Sequence, residues 1–287
     1  MTGGRGELTG ALGAPARFGV PEPGDEVRQS LYAFRPMDVE LRNLLYRRPE
    51  LYERVYDGSG DAVPKMCERL FERYLRRYPD SVLDIGCGTG RDLAYLADRC
   101  RDCVGVDIQE SMVAFARERR PHIDFRVGDM RSVRIGRTFA AITCMGIAIS
   151  NLHADDDLDM AFETFAAHSK AGTLLVLEAL NALGADGGGS LARRFVIDVP
   201  GIDASAEATY EHDRRRQLLT RRRVWAGMDD GPVEDFVRFR TLAPRELEHR
   251  LATHGFETLA MYGDRALTDT HLDGVSLMVA ARFAAAS

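Results

Sequence analysis

The sequence predicts a doubly wound α/β fold with a mostly parallel sheet of seven strands. Three observations predict it: short apolar strands that alternate with amphipathic helices, strand runs without a polar face, and a glycine-rich turn after the first strand. Strands that are apolar on both faces are covered by helices on both sides, which is typical of a parallel sheet. A separate antiparallel β lid is predicted as an insertion before the last helix.

Within the core, each element has its own signal. Short β-rich runs that end in glycine or aspartate predict strands, and apolar residues three and four apart predict the helices between them. An acidic first turn predicts the helix that starts at Asp155, and Pro244 and Gly255 bracket the last helix. The last two runs are expected to pair as a hairpin with a short connection. The seven predicted strands are SVLDIG, CVGVD, IDFRVGD, FAAITCMG, TLLVLEAL, FETLAMYG and SLMVAARF.

Local composition divides the chain into segments. The start of the chain is rich in Gly and Pro without periodicity, and a helical spacing of apolar residues follows from Val63 to about Tyr78. The linker ADGGGS separates the first part of the core from strand-like runs with turn residues between them. The predicted segments are a flexible N-terminal tail over 1–40, a helical segment over 41–78, the core over 79–184 and 242–284, and the inserted lid over 185–241.

The composition is that of an ordinary globular protein. Of 287 residues, 45% are hydrophobic and 29% are charged, which fits one domain with additions or two small ones. The net charge of −6 gives no general attraction for polyanions, so we expect no nucleic-acid partner. No stretch approaches the roughly 18–20 apolar residues that span a bilayer, so no membrane partner is expected. The five cysteines, few and odd in number, suit reduced thiols and a cytoplasmic location.

The sharpest feature is the sequence Asp84-Ile-Gly-Cys-Gly-Thr-Gly at the end of the first strand. Its glycines allow the backbone to approach a ligand closely. Asp107 ends the second strand, a position where a carboxylate accepts hydrogen bonds from ribose hydroxyls. A ligand with a nucleoside is therefore expected, and both dinucleotides and S-adenosylmethionine contain one.

Two details favour S-adenosylmethionine. The dinucleotide fingerprint needs a glycine where this chain has Arg91. In addition, the Asp84 carboxylate would repel a pyrophosphate at the helix N-terminus. The same carboxylate can hold the ammonium group of S-adenosylmethionine by a charge-assisted hydrogen bond, either directly or through water.

Three motifs in order resemble the class I S-adenosylmethionine-dependent methyltransferases: VLDIGCGTGRDL, VGVDIQESM and VGDMRSV. The resemblance implies a Rossmann-like fold over roughly Pro79 to Gly184 and Pro244 to Phe283. It also implies that the first motif lines the methionine and ribose part of the cofactor. The implied cofactor-binding residues are Asp84, Gly86, Cys87, Gly88, Gly90, Asp107 for the ribose hydroxyls, Ile108 and Met112 beside the adenine, Asp129 for the adenine amino group, Met130 and Met145.

Methyl transfer needs an unprotonated nucleophile in line with the methyl group and the exclusion of water. A hydroxyl of high pKa needs a positioned base or a metal ion, whereas an amine needs little more than desolvation. The magnesium-dependent catechol enzymes of this family have an Asp after the fourth strand, where this chain has Cys144-Met145-Gly146. We therefore expect no metal ion.

The run CMGIAISNLHADDDL resembles small-molecule N- and O-methyltransferases, including the aminosugar and glycine-type N-methyltransferases. The resemblance implies methyl transfer to a small molecule, an amine of natural-product or sugar type before a hydroxyl. Two alternatives stay open. One is a metal-independent O-methyltransferase with His153 as its base, and the other is a methyltransferase-like partner subunit that binds the cofactor without turnover. A homodimer is open as well.

Three residues are candidates for the transfer itself. His153 follows the fourth strand at the open edge of the sheet and is either a general base or a capping histidine. Glu178 interrupts an apolar strand, where a buried carboxylate needs a substrate ammonium or a structural cation as partner. Tyr56 either closes over the sulfonium or belongs to the core. Asn181, just beyond Glu178, is a further hydrogen-bond donor at this edge.

The lid is expected over the carboxyl ends of the strands, where it would exclude water. Its arginine run RRRQLLTRRR, residues 214–223, is interpreted as a solvated outer face, with binding of a phosphate or carboxylate as the alternative. Arg223 and Trp225 are expected to affect the acceptor rather than the cofactor.

Overall fold

The computed structural model describes residues 43–57, 61–184, 195–198, 204–228 and 231–284. The predicted tail and the ADGGGS linker lie outside the described residues. The helices are α1 (Leu44–Arg47), α2 (Pro49–Asp57), α3 (Ala62–Tyr74), α4 (Arg91–Ala97), α5 (Glu110–Arg119), α6 (Asp155–Ala167) and α7 (Pro244–Thr253), with a 3₁₀ helix at Ala148–Asn151. The strands are β1 (Ser81–Ile85), β2 (Asp102–Asp107), β3 (Asp124–Val127), β4 (Phe139–Cys144), β5 (Ser169–Leu180), β6 (Phe195–Asp198), β7 (Ser205–Asp213), β8 (Leu218–Ala226), β9 (Val233–Arg240), β10 (Phe256–Tyr262) and β11 (Ser276–Phe283).

The main sheet has seven strands in the order β10-β11-β5-β4-β1-β2-β3. Strands β1 to β5 run parallel, and β11 pairs antiparallel with both β5 and β10. The strand order reverses between β1 and β4, which is the place where open α/β sheets bind ligands. The predicted fold class is confirmed.

Helices cover both faces of this sheet, because the inner strands are apolar on both sides. Leu83 and Ile85 of β1 belong to a buried cluster with residues of α6 and α7, such as Phe162 and Leu247. Val82 belongs to a second cluster with residues of α3, α4 and α5. Because successive side chains along β1 point to opposite faces of the sheet, they contribute to two separate hydrophobic cores.

A second, antiparallel sheet has the order β6-β7-β8-β9. Leu219, Val237 and Phe239 of this sheet pack against Leu180 at the end of β5 and Ile147 after β4. The second sheet therefore lies over the carboxyl ends of the parallel strands, as expected for the lid. Strands β7, β8 and β9 correspond to the strand-like runs predicted for the lid, whereas β6 was not predicted.

Two local expectations were wrong. Helix α3 ends at Tyr74, and Leu75 is already extended, so the helix is shorter than expected. The connection between β10 and β11 covers residues 263–275 and is not short. Among the described helices, none is long and apolar enough to cross a membrane.

Candidate cofactor and acceptor site

A pocket opens at the carboxyl edge of the main sheet, beside the point where the strand order reverses. It is bounded by the glycine turn after β1, the ends of β2 and β3, the loop after β4, and the helices at the start of the described chain. The lining residues are Tyr46, Tyr52, Ile85, Gly86, Gly88, Asp107, Ile108, Gln109, Met112, Gly128, Asp129, Met130, Arg131, Met145, Gly146, Ala148, Asn151 and Leu152.

Asp107 organises the centre of this pocket. Its Oδ2 accepts the Gly88 N–H at 2.8 Å, and its Oδ1 accepts the Gln109 N–H at 2.8 Å. Burial raises the pKa of Asp107, and these backbone hydrogen bonds oppose the rise. Each carboxylate oxygen keeps a lone pair for a further donor, so Asp107 fits the two hydroxyls of a ribose.

The glycine turn has little left to offer a pyrophosphate. The N–H groups of Gly86 and Cys87 both donate to the Val106 carbonyl, at 2.8 and 3.0 Å. The Gly88 N–H is held by Asp107, and the Gly90 N–H donates to the Cys87 carbonyl at 2.9 Å. A dinucleotide site needs such N–H groups free for phosphate oxygens, so this geometry disfavours it.

Asp84 is buried next to the pocket but is not part of its lining. Its Oδ1 accepts a hydrogen bond from Thr143 Oγ1 at 2.8 Å. Burial raises the pKa of Asp84 to about 7, against the lowering effect of that hydrogen bond. The carboxylate therefore gains from a nearby cation, such as the ammonium group of an amino acid.

Asp129 lies in the pocket with an ion pair of its own. Arg131 Nη2 lies 2.5 Å from Asp129 Oδ2, and Arg131 Nη1 reaches Asp157 Oδ1 at 2.9 Å. Burial acts to raise the pKa of Asp129, but hydrogen bonds from Arg131 outweigh it and lower the pKa. Asp129 stays an ionised acceptor at the adenine end of the predicted cofactor site.

Residues 82–172 match the family model of a methyltransferase domain. They contain the glycine turn, Asp107 and Asp129, so the match covers most of the residues that line the pocket, though not Tyr46 and Tyr52. Residues 82–172 are a methyltransferase domain. The resemblance to class I S-adenosylmethionine-dependent methyltransferases is confirmed.

The relatives of this methyltransferase domain include two sugar enzymes. The chain is 38% identical over 131 residues to a dTDP-3-amino-3,6-dideoxy-alpha-D-glucopyranose N,N-dimethyltransferase from Streptomyces fradiae, covering 45% of this chain and 51% of the relative. It is 31% identical over 131 residues to a dTDP-3-amino-3,4,6-trideoxy-alpha-D-glucopyranose N,N-dimethyltransferase from Streptomyces venezuelae, covering 45% and 55%. The chain thus spans about half the length of the curated relatives it matches.

A solved structure extends the likeness beyond the methyltransferase domain. CalS10, an amino pentose methyltransferase from Micromonospora echinaspora solved with S-adenosylmethionine bound, has a TM-score of 0.66 and 25% identity. The likeness covers 80% of this chain and 96% of CalS10. It therefore reaches past residues 82–172 into the flanking parts of the chain.

Most of the predicted cofactor residues of the methyltransferase domain line the pocket, and three do not. Asp84 is buried beside it, as described above. Gly90 starts α4 with φ +76°, and a Cβ there would lie 2.4 Å from the Phe125 ring, so this glycine serves packing. Cys87 Sγ lies where a Cβ on Gly105 would be only 3.0 Å away, so the thiol packs toward β2. The predicted residues within the lining are Gly86, Gly88, Asp107, Ile108, Met112, Asp129, Met130 and Met145.

Tyr56 was predicted to close over the sulfonium, but Tyr52, one helical turn earlier, lines the pocket instead. Tyr56 is not among the lining residues, and its ring lies 4.6 Å from that of Tyr52, centroid to centroid. Tyr46 and Tyr52 line the pocket instead, and burial raises the pKa of both. The spacing of the tyrosines indicates that they share one face of a helix. It does not indicate which way that face points, because the orientation of the helix depends on packing against the second sheet.

The Glu178 carboxylate already has a cationic partner within the protein, so it is not free for a substrate ammonium. Its carboxylate is 1% exposed and is paired with Arg265 Nη2 at 2.8 and 3.0 Å. Its Oε2 also accepts the Gly146 N–H at 2.9 Å, which fixes the loop after β4 against the pocket. The predicted catalytic role is corrected to a structural one. The partner was missed because Arg265 lies 87 residues away, in the connection between β10 and β11.

His153 is also occupied. Its Nε2 lies 3.0 Å from the Arg238 carbonyl oxygen of β9, so Nε2 carries a proton and donates it, which leaves only Nδ1 to act as a base. Burial lowers the pKa of His153. His153 does not line the pocket, whereas its neighbours Asn151 and Leu152 do. The structure therefore assigns His153 to the contact between the loop after β4 and the second sheet.

Asn181 was proposed as a hydrogen-bond donor at the site, and it is fully buried elsewhere. Its Nδ2 donates to the carbonyls of Leu272 and Gly274 at 2.8 and 2.7 Å. It therefore anchors the connection between β10 and β11.

Arg223 and Trp225 are buried within the second sheet and do not form a solvated face. Arg223 pairs with Asp235 at 2.7 Å, and Trp225 Nε1 donates to the same carboxylate at 2.9 Å. Asp235 Oδ2 also accepts the Leu44 N–H at 2.9 Å, and Arg223 Nη2 donates to Asn43 Oδ1 at 2.5 Å. These groups join the N-terminal helices to the second sheet.

Proposed function

We propose that this chain transfers a methyl group from S-adenosylmethionine to the amino group of a small molecule, an aminosugar before other amines. One observation carries the proposal. The pocket presents the Asp107 carboxylate for a ribose, but its described lining offers no free carboxylate as a base for the acceptor. Asp107 accepts two backbone N–H groups, and Asp129 is paired with Arg131.

The lining fits the cofactor of the methyltransferase family. Gly88 has φ +54° and no atom within 4 Å of an added Cβ, which leaves room for a ligand against the backbone. Ile108 and Met112 supply apolar flanks for an adenine, and Asp129 supplies an acceptor for its amino group. When bound, S-adenosylmethionine supplies an electrophilic methyl group on its sulfonium.

The lack of a free base favours an amine over a hydroxyl acceptor. Asp107 holds two backbone N–H groups, Asp129 is paired with Arg131, and the raised pKa values of Tyr46 and Tyr52 keep both phenols neutral. A hydroxyl of high pKa would find no described lining group to take its proton. A neutral amine needs none in the transfer step, because its lone pair forms the new C–N bond as the C–S bond breaks, and the ammonium then loses a proton to water.

The names of the relatives support an aminosugar. Two of them are N,N-dimethyltransferases for dTDP-linked aminosugars, and the structural neighbour CalS10 is an amino pentose methyltransferase. The proposal includes a cytoplasmic location, no nucleic-acid or membrane partner, and a homodimer as an open alternative to a monomer.

A transfer assay with labelled methyl groups tests the proposal. The purified chain is incubated with ¹³C-methyl S-adenosylmethionine and dTDP-3-amino-3,6-dideoxyglucose, and the product is examined by mass spectrometry and NMR. We expect the label on nitrogen. Label on a sugar oxygen would replace the amine with a hydroxyl acceptor. Cofactor binding without transfer to any amine in a panel of aminosugars would indicate a binding subunit.

A further inference from the structure

The inner face of the second sheet carries an arginine without an acidic partner. Arg221 of β8 lies on the same face as Leu219 and Arg223, which are 4% and 1% exposed. Arg221 is half-buried, and its Nε is buried without a hydrogen-bond partner. Within the described part of the chain, no carboxylate forms an ion pair with it. An uncompensated cation in this position lowers stability unless a ligand neutralises it.

The two neighbouring arginines differ from Arg221 in their charge environment, although Arg223 Nη1 is also buried without a hydrogen bond. Arg223 has the buried carboxylate of Asp235 within 2.7 Å. Arg222 lies on the outer face and is exposed to solvent, where a charge costs little. Among these three arginines, only Arg221 combines partial burial with a guanidinium that has no carboxylate partner; its Cζ lies 5.4 Å from the centroid of the Phe239 ring.

Arg221 lies near the pocket, next to the loop that follows β4. Its cross-strand partners are Tyr210 of β7 and Val237 of β9, and both belong to the apolar cluster that includes Ile147. Ile147 connects Gly146 and Ala148, which line the pocket. The charge of Arg221 also acts to lower the pKa of Tyr46, another lining residue, against the larger effect of burial. The guanidinium is thus close to the pocket, on the side of the loop after β4 and Tyr46.

We propose that Arg221 binds an anionic phosphate group of the acceptor and so determines specificity for phosphate-linked aminosugars. A guanidinium offers paired N–H donors that match phosphate oxygens, and the apolar surroundings strengthen the interaction. The proposal rests on the proposed function, because the amino group must reach the methyl group while the phosphate lies at Arg221.

Two acceptors that differ only in the anion test this role. The first is dTDP-3-amino-3,6-dideoxyglucose, and the second is the neutral methyl glycoside of the same aminosugar. For Arg221→Gln we expect KM to rise about 10- to 100-fold for the dTDP-linked acceptor and to stay within about 2-fold for the glycoside. Arg221→Lys should recover part of the loss. The matched control is Arg222→Gln on the outer face, for which both KM values should be unchanged.

If Arg221 served only to stabilise the fold, Arg221→Gln would lower the Tm, whereas the proposal predicts no such loss. The Tm of Arg221→Gln should be equal to or above that of the wild type, because an unpaired charge is removed, and the Kd for S-adenosylmethionine should not change. Equal losses with both acceptors, or no loss with either, would overturn the proposal.

A binding measurement separates this proposal from the proposed function. If no aminosugar is methylated, the proposed function fails, and calorimetric titration with inorganic pyrophosphate then decides the role of Arg221. Binding by the wild type and by Arg222→Gln, with at least 10-fold weaker binding by Arg221→Gln, would support an anion site. Equal binding by all three proteins, or none by the wild type, would contradict it.

Discussion

At the end of β1, the carboxylate of Asp84 is buried where water cannot stabilise its charge. Its pKa of about 7 lies above the ordinary value of 3.8. Between these two values the folded protein holds a proton that the unfolded chain has released. The contribution of Asp84 to the free energy of unfolding is therefore greatest below pH 4 and is lost as the pH rises through 7. A cofactor ammonium favours the ionised form, so its binding has the opposite pH dependence.

This gives a pH dependence for cofactor binding. We expect the affinity for S-adenosylmethionine to increase about 10-fold or more between pH 5 and 7, since Asp84 ionises more easily beside the ammonium. This range lies below the pKa of about 7.7–8.0 expected for an α-amino group. Isothermal titration calorimetry measures it, with Asp84→Asn as the control that should bind more weakly at pH 7 and show a flat profile. An unchanged slope in Asp84→Asn would rule out this role for Asp84.

Substitutions of two glycines in the same turn should have different effects: Gly90→Ala should mainly lower stability, and Gly88→Ala should mainly weaken cofactor binding. Gly90→Ala places a Cβ 2.4 Å from the Phe125 ring at φ +76°, so we expect a loss of roughly 2–4 kcal/mol in the free energy of unfolding. Gly88→Ala meets open space at φ +54°, so it should cost only about 1–2 kcal/mol but put a methyl group into the pocket. Urea denaturation and calorimetry distinguish them: Gly88→Ala should lose at least 10-fold in cofactor affinity, and folded Gly90→Ala much less. The reverse order would contradict the assignment.

At the scale of elements, a buried ion pair joins the N-terminal helices to the second sheet. Asp235 accepts hydrogen bonds from Arg223, Trp225 and the Leu44 backbone. Each of these partners belongs to a different strand or helix from Asp235. The position of Tyr46 and Tyr52 over the pocket therefore depends on a contact made far from the glycine turn.

Removal of the Asp235 carboxylate should strongly lower the free energy of unfolding. Asp235→Ala leaves the Arg223 cation buried without a carboxylate to neutralise it, and we expect a loss of about 3–5 kcal/mol in the free energy of unfolding. The matched control is Asp124→Ala, which breaks the exposed pair with Arg126 and should cost at most about 1 kcal/mol. Chemical denaturation of both variants measures the difference. Similar small losses in both would show that the second sheet does not depend on this pair.

The elements that the sequence predicted are those whose signals are local. The strand–turn–helix around Gly86 and Gly88, and Asp107 at the next strand end, are readable from neighbouring residues. The partners of Glu178 and Arg223 are not, because Arg265 lies 87 residues from the first and Asn43 lies 180 residues from the second. The position of Glu178 in an apolar strand indicated that a partner exists without indicating which residue it is, whereas Arg223 was assigned to a solvated face and its burial was not predicted.

At the scale of the whole molecule, the pocket combines parts of the chain that are distant in sequence. The methyltransferase domain supplies the glycine turn and the acidic residues, the N-terminal helices supply Tyr46 and Tyr52, and the second sheet packs against Leu180 and Ile147 beside the pocket. The motifs predicted the cofactor half of this pocket. The packing of the second sheet beside the pocket was not predicted in detail, because the arginine run alone does not show which of its side chains turn inward.

Calorimetric titration of the wild type and Asp107→Ala with S-adenosylmethionine and with NAD tests the central claim that this pocket is a methyl-donor site. We expect S-adenosylmethionine to bind the wild type at one site per chain and NAD to give no binding heat. Asp107→Ala should weaken S-adenosylmethionine binding by about 1.5–3 kcal/mol, the range for hydrogen bonds to a charged group, while circular dichroism shows an intact fold. Tight binding of NAD, or an unchanged affinity for S-adenosylmethionine in Asp107→Ala, would contradict the account.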